Sequence, residues 1–285
     1  MTCSAKSSPA SASASSVTPP APAKSRPRVL MIGGLDPTGG AGVVADVETA
    51  AAFGCRSFAL VTALTVQDTR GVRRFEAVDA GLLADQADTL LADLAPDAIK
   101  IGMLASESIA AEVARLLARC PGVPAVLDPV LASGAGDALV SDGVSSAISG
   151  QLAHKCLLMT PNYQEAAVLY GAGGGTALPC SVLVTGTDRD PSGPIIHELI
   201  PPVGVPRRWR WRRLPGSFHG SGCTLASAAA SRLAHGVELS AAVEDAMAYT
   251  WETLAQATEC GGGQWLPRRG PAEVFIKGGQ RGLIR

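Results

Sequence analysis

The chain has 285 residues and a mass of 29.0 kDa, which suits one large α/β domain or two small ones. Hydrophobic residues make up 47% and charged residues 17%, so the chain can bury a sizeable core and is not disordered as a whole. A formal net charge of -1 offers no global field for nucleic acid, and no apolar run reaches the roughly 18 residues of a membrane helix.

Residues 1–27 are dominated by Ser, Ala and Pro. Such a segment buries too little surface to offset its ordering entropy, so a disordered tail is predicted, followed by a single domain over 28–285. Residues 29–32 are a short apolar run ending in Gly33-Gly34, as in a buried strand. Residues 42–53 show helical apolar spacing with Gly54 as the stop, and 58–64 read as a second strand. An amphipathic helix is predicted over 79–94, a strand over 97–103, and a helix capped by Ser106 to about 119. Strands follow at 123–130, 157–160 and 181–187, and two helices starting near Ser221 and Ser240 close the chain. Alternating strands and helices imply a mostly parallel sheet with helices on both faces. Ligands in such folds bind beyond the carboxyl ends of the strands.

Two glycine-rich segments fall at such positions. The first is Gly33-Gly34-Leu35-Asp36-Pro37-Thr38-Gly39-Gly40-Ala41-Gly42. No Lys follows it as a P-loop requires. Gly40-x-Gly42-x-x-Ala45 matches a dinucleotide fingerprint, but it lies too far from the strand for the immediate turn that motif needs. A plain loop with a Gly helix start is the other reading. The second segment, His219-Gly220-Ser221-Gly222-Cys223-Thr224, precedes an Ala-rich helix. Bare main-chain N–H groups and the positive helix end can hold an anion there without a charged side chain. The same field is expected to favour a thiolate at Cys223. A buried structural Cys is the alternative.

Acids end two strands between these segments. Asp128-Pro129-Val130 follows one, and Thr160-Pro161-Asn162 with Glu165 follows another. Asn162 and Glu165 have capping-box spacing. If Asp128 and Glu165 instead meet over the sheet edge, two hard carboxylates there would hold hydrated Mg²⁺. The seven Cys show no C-x-x-C pair, and their odd count and wide spacing suit a reducing, cytoplasmic setting.

Taken in order, these motifs resemble the hydroxymethylpyrimidine/phosphomethylpyrimidine kinases of thiamine biosynthesis, in the ribokinase superfamily. The stretches that carry the resemblance also include Gln67-Asp68-Thr69-Arg70-Gly71-Val72 and Lys100-Ile101-Gly102-Met103-Leu104. The resemblance implies a ribokinase-like three-layer α/β sandwich, ATP as co-substrate with Mg²⁺, a small pyrimidine substrate and a homodimer, with no nucleic-acid or membrane partner. It implies that Gly34, Asp46, Gln67, Met103 and Val130 surround the aminopyrimidine. Gly220, Ser221, Gly222 and Cys223 would form the anion hole, with Cys223 deprotonating or orienting the attacking hydroxyl. Asn162 and Glu165 would match an N-x-x-E motif that organises Mg²⁺ and phosphate. Thr185 and Gly186, with Asn162, would lie on the nucleotide side. Cys rather than Asp at position 223 favours a pyrimidine over a sugar.

Two departures stand out. Thr185 and Gly134 occupy positions where many members carry Lys for ATP phosphates, and Arg70 or Arg189 would have to compensate. The connection after residue 170 is also short for the family, which usually has another helix there. Arg207-Arg208-Trp209-Arg210-Trp211-Arg212-Arg213 reads either as an edge strand paired with 195–200 or as a single-strand nucleic-acid patch, and neutral net charge favours the strand. A pyridoxal-kinase-like enzyme and a pyrimidine-sensing protein without transfer are the competing functions.

Overall fold

Alternate residues of the first strand are buried on opposite faces. Val29 and Met31 join one apolar cluster, and Leu30 and Ile32 join another. That is the side-chain period of a strand covered on both sides. The computed structural model describes residues 25–132, 139, 143–171, 179–186 and 192–284. The predicted tail falls largely outside the described residues, as do Gly134, Arg189 and most of the connection after residue 170.

The sheet is ten-stranded, ordered β10-β9-β8-β7-β6-β5-β4-β1-β2-β3. The parallel strands are β1 (Arg28–Leu35), β2 (Arg56–Asp68), β4 (Ala98–Ile101), β5 (Ala125–Leu127), β6 (Leu158–Met159) and β7 (Ser181–Thr185). Antiparallel pairings bring in β3 (Gly71–Ala77) at one end and β8 (Ile195–Ile200), β9 (Arg207–Trp211) and β10 (Leu283–Ile284) at the other. One face carries α1 (Gly42–Ala52), α6 (Ser221–Ala234), α7 (Leu239–Ala255) and α8 (Ala272–Gly279). The other carries α2 (Ala80–Asp93), α3 (Glu107–Ala118) and α4 (Val144–Ala147), with the end of α5 (Tyr163–Tyr170) packed beside them. This is the expected three-layer sandwich.

The small side chains of α6 explain its position. Ala226, Ala228, Ala229, Ala230, Ser227 and Ser231 are all buried, so α1, α7 and the strands β1, β4 and β5 approach it closely. The helix therefore starts at the carboxyl ends of the central strands, where the cavity lies.

Several predicted elements differ from those observed. The strands predicted at 97–103 and 123–130 shrink to β4 and β5, because their last residues turn into loops. The strand predicted at 58–64 extends in both directions to make β2 and hairpins into β3, which was not predicted. Two helical segments also escaped prediction: α4, continued by a π turn at Ile148–Leu152, and α8, which with β10 lies beyond the two helices expected to close the chain. The Arg/Trp segment is a strand, as favoured, with Trp209 and Trp211 buried and Arg208 and Arg210 exposed. It is not an edge, because Leu283 pairs with Trp211 and Ile284 with Arg210.

Candidate active site

A cavity of about 830 Å³ runs along the carboxyl ends of the strands and over the start of α6. Gly34, Gln67, Met103 and Val130 line one end, and Asp128, Asn162, Glu165 and Thr185 line its strand edge. Gly220, Ser221, Gly222 and Cys223 form the wall between. Two expected residues are not on its surface. Asp46 is fully buried beneath the floor, where Lys100 Nζ donates to its two oxygens at 2.9 and 2.8 Å and Ser227 Oγ donates at 2.7 Å. Gly186 serves the fold instead: a Cβ there would lie 2.2 Å from the Ile196 carbonyl oxygen, so its bareness lets β8 pass.

The two glycine loops are built against each other. Gly220 caps α6 with φ 70°, and a Cβ on it would sit 1.9 Å from the Gly40 carbonyl oxygen. Only glycine meets both demands. Arg269, with its side chain almost wholly buried, holds the assembly from below. Its guanidinium donates to the carbonyls of Gly40 at 2.6 Å and Gly39 at 3.3 Å, to Glu48 at 3.0 Å, and to Thr224 Oγ1 at 3.2 Å. No sequence motif had marked Arg269.

Beyond Gly220, the N–H groups of Ser221, Gly222 and Cys223 open the first turn of α6, where a helix has no internal acceptors for them. Asp128 lies directly opposite, its Oδ2 only 3.3 Å from where a Gly222 Cβ would be. Burial pushes the Asp128 carboxyl up to about 6, against the pull of Lys100, with Asp46 adding to the rise and the Thr160 hydrogen bond opposing it. Lys100 would lose its proton more readily through burial alone, but the Asp46 carboxylate outweighs this and its pKa is raised.

Cys223 corrects the thiolate expectation. Burial raises its thiol to about 11, and the carboxylates of Asp46 and Asp128 reinforce the rise, while Lys100 and the Gly42 N–H oppose it. Desolvation and the two neighbouring carboxylates both oppose the thiolate, so the resting group is a neutral thiol. It nevertheless faces the cavity and is only half-buried.

Glu165 occupies the capping box, accepting from Asn162 N at 2.9 Å while Asn162 Oδ1 accepts from Glu165 N at 2.8 Å. Its other oxygen accepts from Leu131 N at 3.2 Å, tying α5 to the loop after β5. Thr185 and Asn162 are neighbours across a bridge, with Thr185 N donating to the Pro161 carbonyl at 2.9 Å. Arg70 lines a separate open cleft with Thr38 and Cys260, so it does not reach this cavity wall. Arg213 does.

Asp36 and His219 were missed as interacting residues. Asp36 accepts from Thr38 N and Ala41 N at 2.8 Å each, from Thr38 Oγ1, and from His219 Nε2 at 2.9 Å. Burial alone would raise its pKa, but the His219, Thr38 and Ala41 hydrogen bonds prevail and hold it at about 2. A depressed carboxyl contributes stability that is present above its unfolded value and lost as pH falls through the folded one. Asp36→Asn is therefore expected to destabilise the protein by about 2 kcal/mol at neutral pH. In denaturant titrations the deficit should shrink as pH is lowered from about 4 towards 2, and a constant deficit would contradict the assignment.

At the far end, three buried polar atoms on the cavity-lining residues have no hydrogen-bond partner among the described residues: His197 Nδ1, Trp211 Nε1 and Thr250 Oγ1. Burial lowers His197 to about 4, so its imidazole is neutral and offers both a donor and an acceptor. Buried polar groups normally find partners, so these three atoms mark this end as polar beneath its surface.

Comparison with known proteins follows the same lines. The family model for phosphomethylpyrimidine kinase matches residues 36–268. A hydroxymethylpyrimidine/phosphomethylpyrimidine kinase of Mycobacterium tuberculosis is 37% identical over 257 residues, covering 85% of this chain and 93% of that protein. One from Escherichia coli K12 is 32% identical, covering 81% and 92%. The phosphomethylpyrimidine kinase structure from Clostridium difficile is 28% identical with a TM-score of 0.66, covering 78% of this chain and 96% of that one. A pyridoxal kinase from Staphylococcus aureus in complex with AMP-PCP shares the fold, with a TM-score of 0.77 at 23% identity over 87% of this chain and 94% of that one. Fold and site together define a ribokinase-like small-molecule kinase. Within that class, the chain belongs to the phosphomethylpyrimidine kinase family.

Proposed function

We propose that the protein phosphorylates 4-amino-5-hydroxymethyl-2-methylpyrimidine with ATP and then phosphorylates the monophosphate to the diphosphate. The observation that carries this reading is the meeting, in one cavity, of the α6 cradle with Cys223 and of the Gly34, Gln67, Met103 and Val130 end. An amide flanked by apolar side chains suits a flat heteroaromatic ring. In the first step the alcohol oxygen bonds to phosphorus, the bond to the leaving ADP oxygen breaks, and the hydroxyl proton ends in solvent. Catalysis of this kind is mostly alignment and charge stabilisation. Ser221, Gly222 and Cys223 offer main-chain N–H groups to the transferring phosphoryl. Thr185 and Asn162 border the nucleotide, and Arg213 brings the positive charge that neutral Thr185 lacks.

Among the described residues no three His, Cys, Asp or Glu side chains converge as a metal cage. Mg²⁺ commonly keeps several waters and takes one or two carboxylates plus substrate phosphates, and the donors here fit that mode. Asp128 would hold it, and Glu165, whose oxygens already accept main-chain N–H groups, would act through water. When bound, the ion supplies charge neutralisation at the phosphates. A homodimer in the cytoplasm completes the reading.

Cys223, as a neutral thiol, orients the attacking hydroxyl. The second acceptor is a phosphate oxygen, which makes no O–H hydrogen bond for the thiol to orient. Cys223→Ala is therefore expected to slow formation of the monophosphate on the order of 10²-fold and conversion of monophosphate to diphosphate much less. Single-turnover rates with each acceptor supplied separately check this. Equal losses would remove Cys223 from the hydroxyl's neighbourhood.

A further inference from the structure

The pair formed by Asp36 and His219 reaches a third residue. Gln67 Nε2 lies 3.2 Å from His219 Nε2, the same ring nitrogen that stands 2.9 Å from Asp36 Oδ2. An ionised carboxylate only accepts, so His219 Nε2 carries a proton directed at Asp36. A protonated ring nitrogen has no lone pair, and an amide NH₂ placed against it has nothing to donate to. Half a turn of the Gln67 amide exchanges its two ends without moving the backbone. Its oxygen then shares the His219 proton with Asp36, and its NH₂ takes the oxygen's former place on a residue that lines the cavity. Close packing on Gly40 and a fixed main chain restrict the imidazole's freedom to relieve this choice. It is packed so closely against Gly40 that a Cβ there would lie 2.4 Å from His219 Cδ2, and its residue's own N–H is tied to the Trp265 carbonyl at 2.9 Å.

We infer that His219, anchored by Asp36, is a positioning residue that fixes the Gln67 amide with its NH₂ towards the substrate, so that the site selects an alcohol whose ring presents a nitrogen acceptor. The surroundings sharpen the selection. Met103 lies over Gly34, and Val72 and Val130 complete an apolar rim, so an NH₂ left facing a C–H has no other partner supplied by these side chains. Sites that hydrogen-bond a ligand reject analogues lacking the partner far more strongly than apolar sites reject a change of shape. The inference rests on the proposed placement of the ring beside Gln67.

The test uses isothermal calorimetry with 4-amino-5-hydroxymethyl-2-methylpyrimidine and the two analogues in which one ring nitrogen or the other is replaced by C–H. The native protein should bind the parent at least about tenfold more tightly than one of the analogues. In His219→Phe that ratio should fall below about threefold, because the amide is then free to turn. Asp36→Ala, which removes the acceptor that holds the His219 proton, should lower it in the same direction, and it serves as the readout if the Phe variant does not fold. Long-range ¹H–¹⁵N spectra should place the His219 proton on Nε2. A ratio unchanged in the folded variants, a bare Nε2, or a native protein indifferent to both ring nitrogens would overturn the inference and leave His219 as a tether between loops. Phosphoryl transfer to the parent alcohol is scored separately, so failure of the proposed activity is distinguishable from failure of the orienting role.

Discussion

Lys100→Met is expected to destabilise the protein by about 3–5 kcal/mol, the cost of leaving a buried carboxylate without its cation. Both members of the Lys100–Asp46 pair have fully buried side chains, and the lysine nitrogen lies 2.8 Å from Asp46 Oδ2. Removing the cation alone leaves Asp46 with only the Ser227 hydroxyl as a donor among the described side chains. Lys100→Met/Asp46→Asn should recover most of the loss, since the neutral amide keeps an acceptor for Ser227 and nothing charged remains unpaired. Chemical denaturation of the two variants decides it. A single variant within about 1 kcal/mol of native would mean that water or another cation reaches Asp46.

Gly220→Ala is expected to lower kcat/KM by at least about 10²-fold, because a displacement on the order of 1 Å in the cradle misaligns the transferring group. The new methyl group would be driven to 1.9 Å from the Gly40 carbonyl oxygen in a left-handed conformation, so α6 and the first glycine loop must separate. Gly150→Ala is the matched control, since nothing lies within 4 Å of its added carbon. Steady-state kinetics on both variants should show the loss only at position 220. A Gly220→Ala enzyme within about threefold of native would show that the cradle does not act on the transferring phosphoryl.

The central layers were legible because β1 and α1 are bounded by glycines and carry clean apolar spacing. The Ala-rich run after Cys223 likewise could hardly be anything but a buried helix. Elements whose pattern is weak escaped. Residues 71–77 carry Arg73, Arg74 and Glu76 on a half-solvated edge, so no alternation announced β3. The four-residue α4 follows Gly143 at φ 89° and passes into a π turn, which breaks the helical period. Motif residues line most of the cavity wall, and the departures depend on long-range contacts. Nothing local to Asp46 reveals that it pairs beneath the cavity floor with Lys100, 54 positions later. The helix-end argument for Cys223 is local, whereas the burial and the Asp46 and Asp128 carboxylates that raise its thiol come from other elements. The partnership of Asp36 with His219 joins the two glycine loops across 183 positions, and neither loop's sequence declares it.

The most direct test of the account is to incubate the native protein with 4-amino-5-hydroxymethyl-2-methylpyrimidine and MgATP while following the monophosphate, the diphosphate and ADP separately. The account predicts that the monophosphate appears first and is converted to the diphosphate, with one ADP released per transfer. Binding of nucleotide and pyrimidine without either phosphate, or transfer to pyridoxal alone, would contradict it.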